Sequence, residues 1–163
     1  MGPFDDGRDE SSAERADRNW EELLQELRVM QTGTQILTGF LLAVAFQPRF
    51  SSLAPEQVGL YVVLVALAAT ATILALTPVC LHRALFRQHR KTELVDLTAR
   101  IVTVDLVVIG LLTVGVTTLI VDFAVGRAAG IATLACAVLL VAGLWYVVPG
   151  FLRRARHGRR PGR

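Results

Sequence analysis

A chain of 163 residues, 53% of them hydrophobic and with a mean hydropathy of +0.49, places its apolar residues in blocks too continuous for water-soluble amphipathic helices, which need a polar face. The net charge of +3 and pI of 9.4 do not mark a nucleic-acid binder, because the basic residues flank the apolar runs in the manner of a membrane protein. Cys80 and Cys136 sit in apolar runs as small core hydrophobes, His82, His89 and His157 sit among arginines, and no CxxC or Cys/His cluster provides a metal, redox or cofactor site.

Residues 1–12 are polar and rich in Gly, Asp and Ser, and read as a disordered N-terminus. A single membrane domain is expected over 13–155, followed by a basic disordered tail over 156–163. Trp20, Leu23, Leu24, Leu27 and Met30 follow helical spacing, with Glu21, Glu22, Gln25, Glu26 and Arg28 on the other face. This predicts an amphipathic cytoplasmic helix, starting near Ser12 or capped by Asp17 or Asn19. Its acidic face suits docking on the protein itself or on a partner better than attraction to anionic lipid. No proline separates it from a first span at about 29–46, so the two are continuous or nearly so. That span is the most polar, carrying Gln31, Thr32, Thr34, Gln35 and Thr38 before an apolar run. Ala43-Val44-Ala45 resembles a signal-peptide cleavage site, but the long acidic segment before it is unlike the short basic start of a signal peptide.

A short loop with two prolines leads to a second span at about 57–80. Its charge-free stretch is long enough for a hydrocarbon core of about 30 Å. Residues 82–100 read as a charged loop with room for a short interfacial helix, before a third span at about 101–121. A tight turn, Asp122 to Arg127, enters the fourth span at about 128–148. Four spans put fifteen Lys and Arg residues on the side of both termini and the middle loop, and two, Arg49 and Arg127, on the other. The positive-inside rule makes the first side cytoplasmic. The expected fold is therefore an all-α integral membrane four-helix bundle with both ends inside. Small residues offer close approach: Ala68/Thr72, Ala71/Ala75, Gly110, Gly115, and a GxxxG from Gly126 to Gly130.

Asp105 is the one charged residue well inside a span, and intramembrane ionisable groups are costly. Arg28, Gln31, Gln35 and Thr38 form a polar stripe at a similar depth. We expect the stripe to face the interior and Arg28 or Gln31 to meet Asp105, as a register-fixing clamp or as a proton- or cation-responsive site. Asp122 and Arg127 bracket the outer turn as a pair, and Gln47 and Arg49 are placed to touch it. No GxSxG, HExxH or Walker motif is present, so an enzyme is not expected.

The stretch Asn19 to Val29, with Gln31-Thr32-Gly33, Gln35-Ile36-Leu37, Phe46-Gln47-Pro48-Arg49-Phe50, Leu81 to Arg87 and Val125-Gly126-Arg127, resembles an uncharacterised family of small actinobacterial membrane proteins, a domain of unknown function. Some members carry a sodium:proton antiporter label. Known antiporters are much larger and bind ions near the midplane between repeats. The resemblance implies a multi-pass protein of the bacterial inner (plasma) membrane and supplies no mechanism. The expected role is a non-enzymatic scaffold or accessory subunit. Its surroundings are the lipid bilayer, with a protein partner possible at the cytoplasmic face and a homo-oligomer possible. The alternative is a small ion- or proton-coupled transporter using Asp105 with Gln31 and Gln35.

Overall fold

The computed structural model describes residues 12–85 and 91–147, which form four helices and no strand. Of the expected disordered N-terminus at 1–12, residues 1–11 lie outside the described residues, as do the tail at 156–163, His89 and His157, whereas Ser12 opens the first helix. Helix α1 runs unbroken from Ser12 to Val44 (33 residues), so the amphipathic segment and the first expected span are one rod. A 3-10 turn, Pro48–Ser52, leads to α2, Pro55–Leu85. Helix α3 is Lys91–Ala124, and α4 is Arg127–Ala142, ending in a π-turn over Gly143–Val147. The expected charged loop at 82–100 is largely helical instead, because α2 continues to Leu85 and α3 begins at Lys91. The Arg, Lys and Leu residues there are good helix formers.

Three helical segments are long and apolar enough to cross a membrane: Pro55–Leu81 (27 residues), Leu97–Ala124 (28 residues) and Arg127–Val147 (21 residues). Even the shortest is about 30 Å long at 1.5 Å per residue. Helix α1 does not belong to this set, because Gln31, Thr32, Thr34, Gln35 and Thr38 dilute its apolar half.

Burial follows the same rhythm along the helices. On α2 the buried residues are Tyr61, Leu64, Ala68, Ala71, Ala75 and Pro78, alternating steps of three and four. On α1 they are Leu27, Thr34 and Leu41, seven apart. On α3 Thr98, Asp105, Leu112 and Leu119 are seven apart, flanked by Val102 and Val116. A 3.5-residue period is the seam of helices packed knobs-into-holes. Lipid is as apolar as leucine, so such seams gain from close packing more than from excluding water. The alanines of α2 serve that end. Threonines fit the apolar helices because Thr32, Thr34, Thr38, Thr72, Thr77, Thr103, Thr117 and Thr118 each donate to the carbonyl four residues back.

The described residues fall into two compact units. The first holds α1 to Phe40, α2 from Leu67 and α3 to Ile109. Its core joins Leu27, Ala75 and Val102, with Leu23, Leu24 and Met30 packed on them. The apolar stripe of the N-terminal part of α1 is thus covered by α2 and α3, while Glu21, Glu22, Gln25 and Glu26 are exposed. The second unit holds the end of α1 from Leu41, α2 to Ala66, α3 from Gly110, and α4. Here the Tyr61 hydroxyl donates to the Leu41 carbonyl at 3.1 Å, and Phe50 meets the Tyr61 ring edge-on at 5.0 Å. Gly110 leaves room for the Trp145 ring, which a Cβ would meet at 2.7 Å. Gly115 does the same for the Leu64 side chain. Helix α4 is the most peripheral, with Gly130 its one buried residue.

Candidate functional site

Each unit buries polar side chains. In the first unit, Asp105 and Thr98 are both 0% exposed on one face of α3, seven residues apart. Neither carboxylate oxygen of Asp105 reaches a hydrogen-bond partner, and neither does the Thr98 hydroxyl. Thr98 is therefore unlike the back-bonded threonines elsewhere. The expected pairing of Asp105 with Arg28 or Gln31 does not form. Leu27 occupies the seam, and Arg28 is turned about 100° from it, which leaves it exposed. Gln35 is exposed for the same reason, one position past buried Thr34. Gln31 and Thr38 lie half-buried on the flank of the seam, and the Thr38 hydroxyl donates to the Thr34 carbonyl at 2.7 Å. The polar stripe is thus split: two members flank the interior and two face outward. Thr34 and Thr98 are the buried polar residues that sequence reasoning missed. The signal for both was their seven-residue spacing from Leu27 and Asp105.

In the second unit, Asp122 is the centre. Its Oδ2 accepts from Gln57 Nε2 at 3.0 Å and from an Arg127 guanidinium nitrogen at 3.4 Å. The expected Asp122–Arg127 pair is therefore present, with Asp122 7% exposed and Arg127 69% exposed. Gln57 was not anticipated. Pro55 occupies the first helical position of α2, where its missing N–H costs nothing. Gln57 then reaches back so that its Oε1 accepts from the Ala54 N–H at 3.0 Å, the N3-to-N-cap half of a capping box. One amide thus caps α2 and holds Asp122, which fixes its orientation.

The turn between α3 and α4 is only Val125-Gly126. Gly126 takes φ +126° and ψ 171°, a region open essentially to glycine alone. Gly130 lies directly on Asp122. The expected GxxxG therefore divides its work, one glycine making the turn and the other the contact. The Arg49 guanidinium stacks over Phe123 at 5.3 Å, so Arg49 touches the outer turn as expected. Among the described residues no group of His, Cys, Asp and Glu is arranged to hold a metal ion.

Among the described residues these features define an all-α protein with three helices long and apolar enough to cross a membrane, and with buried polar residues in each unit. The chain belongs to DUF6328, a family of unknown function, whose model matches residues 9–149. No curated protein and no solved structure matches it.

Proposed function

We propose that the chain crosses the membrane four times, with both termini cytoplasmic, and works as a non-enzymatic scaffold or accessory subunit. The observation that carries this reading is a change along the exposed face of α1. Up to Arg28 that face shows Glu21, Glu22, Gln25 and Glu26; from Val29 onward the charges stop, and it shows Val29, Ile36, Phe40 and Leu42 beside the uncharged Thr32, Gly33, Gln35 and Gly39. A charged face suits water, and an uncharged, predominantly apolar one suits lipid. The switch supports a membrane boundary at Arg28/Val29, and with it a crossing by α1 despite its polar seam residues. The distribution of Lys and Arg then supports a cytoplasmic N-terminus.

On this reading α1 projects into the cytoplasm as a rigid, acidic-faced helix, pinned by Leu23 and Leu24 against the first unit's core. Its exposed carboxylates steer a partner with a basic surface. Affinity capture from native membranes tests this. The intact chain is expected to retain a partner that the triple variant Glu21→Lys, Glu22→Lys, Glu26→Lys loses while still folding. If the intact protein is recovered alone under gentle extraction, the reading fails.

The second reading, a small ion- or proton-coupled transporter using Asp105 with Gln31, without the outward-facing Gln35, draws support from the buried, unpartnered Asp105 carboxylate. Reconstituted vesicles are expected to show a cation-dependent proton flux that Asp105→Asn abolishes. An unchanged flux in that variant removes the reading.

A further inference from the structure

We infer that the outward flank of α1 around Gln35 is a helix–helix seam occupied by α1 of a second copy of this chain. The two Gln35 carboxamides hydrogen-bond to each other across a two-fold axis along the membrane normal. The inference rests on the crossing by α1 proposed above and is independent of the scaffold role.

Gln35 is exposed, one helical step from buried Thr34. With α1 crossing the membrane, it lies seven residues past Arg28, about 10 Å inside the hydrocarbon. Water does not serve that depth, and a polar group left unmet there is costly. Neighbouring threonines escape the cost: the Thr32 hydroxyl donates to the Arg28 carbonyl at 2.9 Å, and the Thr38 hydroxyl to the Thr34 carbonyl. A carboxamide has no such remedy. Its oxygen needs a donor, and the N–H groups in the middle of α1 are committed to the helix's own ladder. Lipid chains offer no donor either. The donor that Gln35 needs therefore comes from another helix.

The positions around Gln35 suit a helix at close range. Thr32, Gln35 and Gly39 are all exposed and follow one another at steps of three and four, the spacing of a knobs-into-holes seam. A Cβ on Gly39 would meet nothing within 4 Å, so a neighbouring backbone has room to approach there. From Val29 to Phe46 α1 carries no charge, and the seam asks for no counter-charge. Two copies inserted in the same sense have parallel α1 helices, with Gln35 at one depth in both. A carboxamide both donates and accepts, so each Gln35 meets in its twin the group it lacks. That self-complementarity is what a two-fold contact requires, and one polar residue in an apolar seam also fixes its register. Arg28, four residues before Thr32, ends the seam at the membrane boundary, where its long side chain reaches water.

Full-length protein carrying Cys80→Ser and Cys136→Ser tests the seam. Thr32 and Gly39 flank Gln35, whereas Gly33 and Phe40 are turned about 140–160° away from it. Oxidation in native membranes, where all copies share one orientation, is expected to cross-link copies carrying Thr32→Cys or Gly39→Cys and to spare Gly33→Cys and Phe40→Cys. Energy transfer between dyes on Ser52→Cys, followed as phosphatidylcholine vesicles dilute the protein, reads the strength of the pair. Gln35→Leu is expected to weaken it about three- to tenfold, and Gln35→Asn, which keeps a carboxamide, to weaken it less. Leucine would instead strengthen a merely apolar contact. The cross-linking pattern decides the matter should Gln35→Leu fail to fold. Equal cross-linking at all four positions overturns the seam, as does a pair that Gln35→Leu leaves unchanged or tightens. A monomer at every dilution also overturns it, and leaves Gln35 to a different membrane protein. The sidedness of Glu22→Cys and Ser52→Cys keeps the two failures apart. Labelling from opposite sides without cross-linking removes the seam alone; labelling from the same side removes the crossing and the seam together.

Discussion

Gly130 of α4 rests on Asp122 of α3 so closely that a Cβ on the glycine would fall 2.7 Å from the Asp122 Cβ and 3.0 Å from its Cα. The second of these atoms is backbone and cannot swing aside. Gly130→Ala must therefore push α4 off α3, at a cost of about 1–3 kcal/mol. Gly33, Gly39 and Gly59 have open space at the same position. Alanine at those sites is expected to be neutral or stabilising by about 0.5–1 kcal/mol, since it removes backbone freedom from the unfolded helix. Thermal melts of the four variants in one detergent give the comparison. Equal melting temperatures for Gly130→Ala and Gly59→Ala would show that the contact does not constrain the fold.

The same aspartate ranks its own partners. Gln57 donates to a buried charge, a bond of the class worth about 1.5–3 kcal/mol. Arg127 approaches from solvent, where an exposed ion pair contributes about 0–1 kcal/mol. Gln57→Leu is therefore expected to destabilise clearly more than Arg127→Ala. Part of the Gln57 effect is the lost cap on Ala54. A double-mutant cycle of Gln57→Leu with Asp122→Asn separates the two contributions. A coupling energy near zero would reduce Gln57 to a cap alone.

These two relationships also show what could be read from the residues alone. Asp122 and Arg127 are five apart across a two-residue turn, so their pairing follows from local spacing. Gln57 lies 65 residues from Asp122, and nothing local connects them. Asp105 was conspicuous as a lone charge in an apolar run, whereas Thr98 looked like one threonine among many. The expected Arg28–Asp105 pair failed on a single step of helical phase, because depth was legible and rotation was not. The continuity of α1 was legible because no proline or cap interrupts it. The helical ends of α2 and α3 were hidden by their charge, which marks exposure to water as readily on a helix as in a loop.

Tyr61 provides a sharper measure of how the end of α1 is held. Its hydroxyl donates to the Leu41 carbonyl within a buried contact, and removing the oxygen alone tests that bond. Tyr61→Phe keeps the ring against Phe50 and is expected to cost about 1 kcal/mol. Phe50→Ala removes the aromatic partner instead, and is expected to cost at least the 0.5–1.5 kcal/mol that such pairs contribute beyond their area. Chemical denaturation in mixed micelles reads both. A Tyr61→Phe variant as stable as the parent would mean that the Leu41 carbonyl finds another donor at no cost.

The crossing by α1 can be read directly by cysteine accessibility. With Cys80 and Cys136 replaced by serine, single cysteines are placed at Glu22, Ile36 and Ser52, all three exposed. If α1 spans the membrane from a cytoplasmic N-terminus, Ser52→Cys reacts with an impermeant maleimide on intact cells. Glu22→Cys then reacts only in inside-out vesicles. Ile36→Cys, on the lipid-facing side past the Arg28/Val29 switch, resists the reagent in both preparations and reacts with a permeant one. The three sites together are needed, because a helix lying flat in the interface would also protect Ile36 in part. Labelling of Glu22→Cys and Ser52→Cys from the same side would remove the first crossing. It would also invert the sidedness of either the N-terminus or the basic segment between α2 and α3, breaking the charge distribution on which a cytoplasmic N-terminus rests.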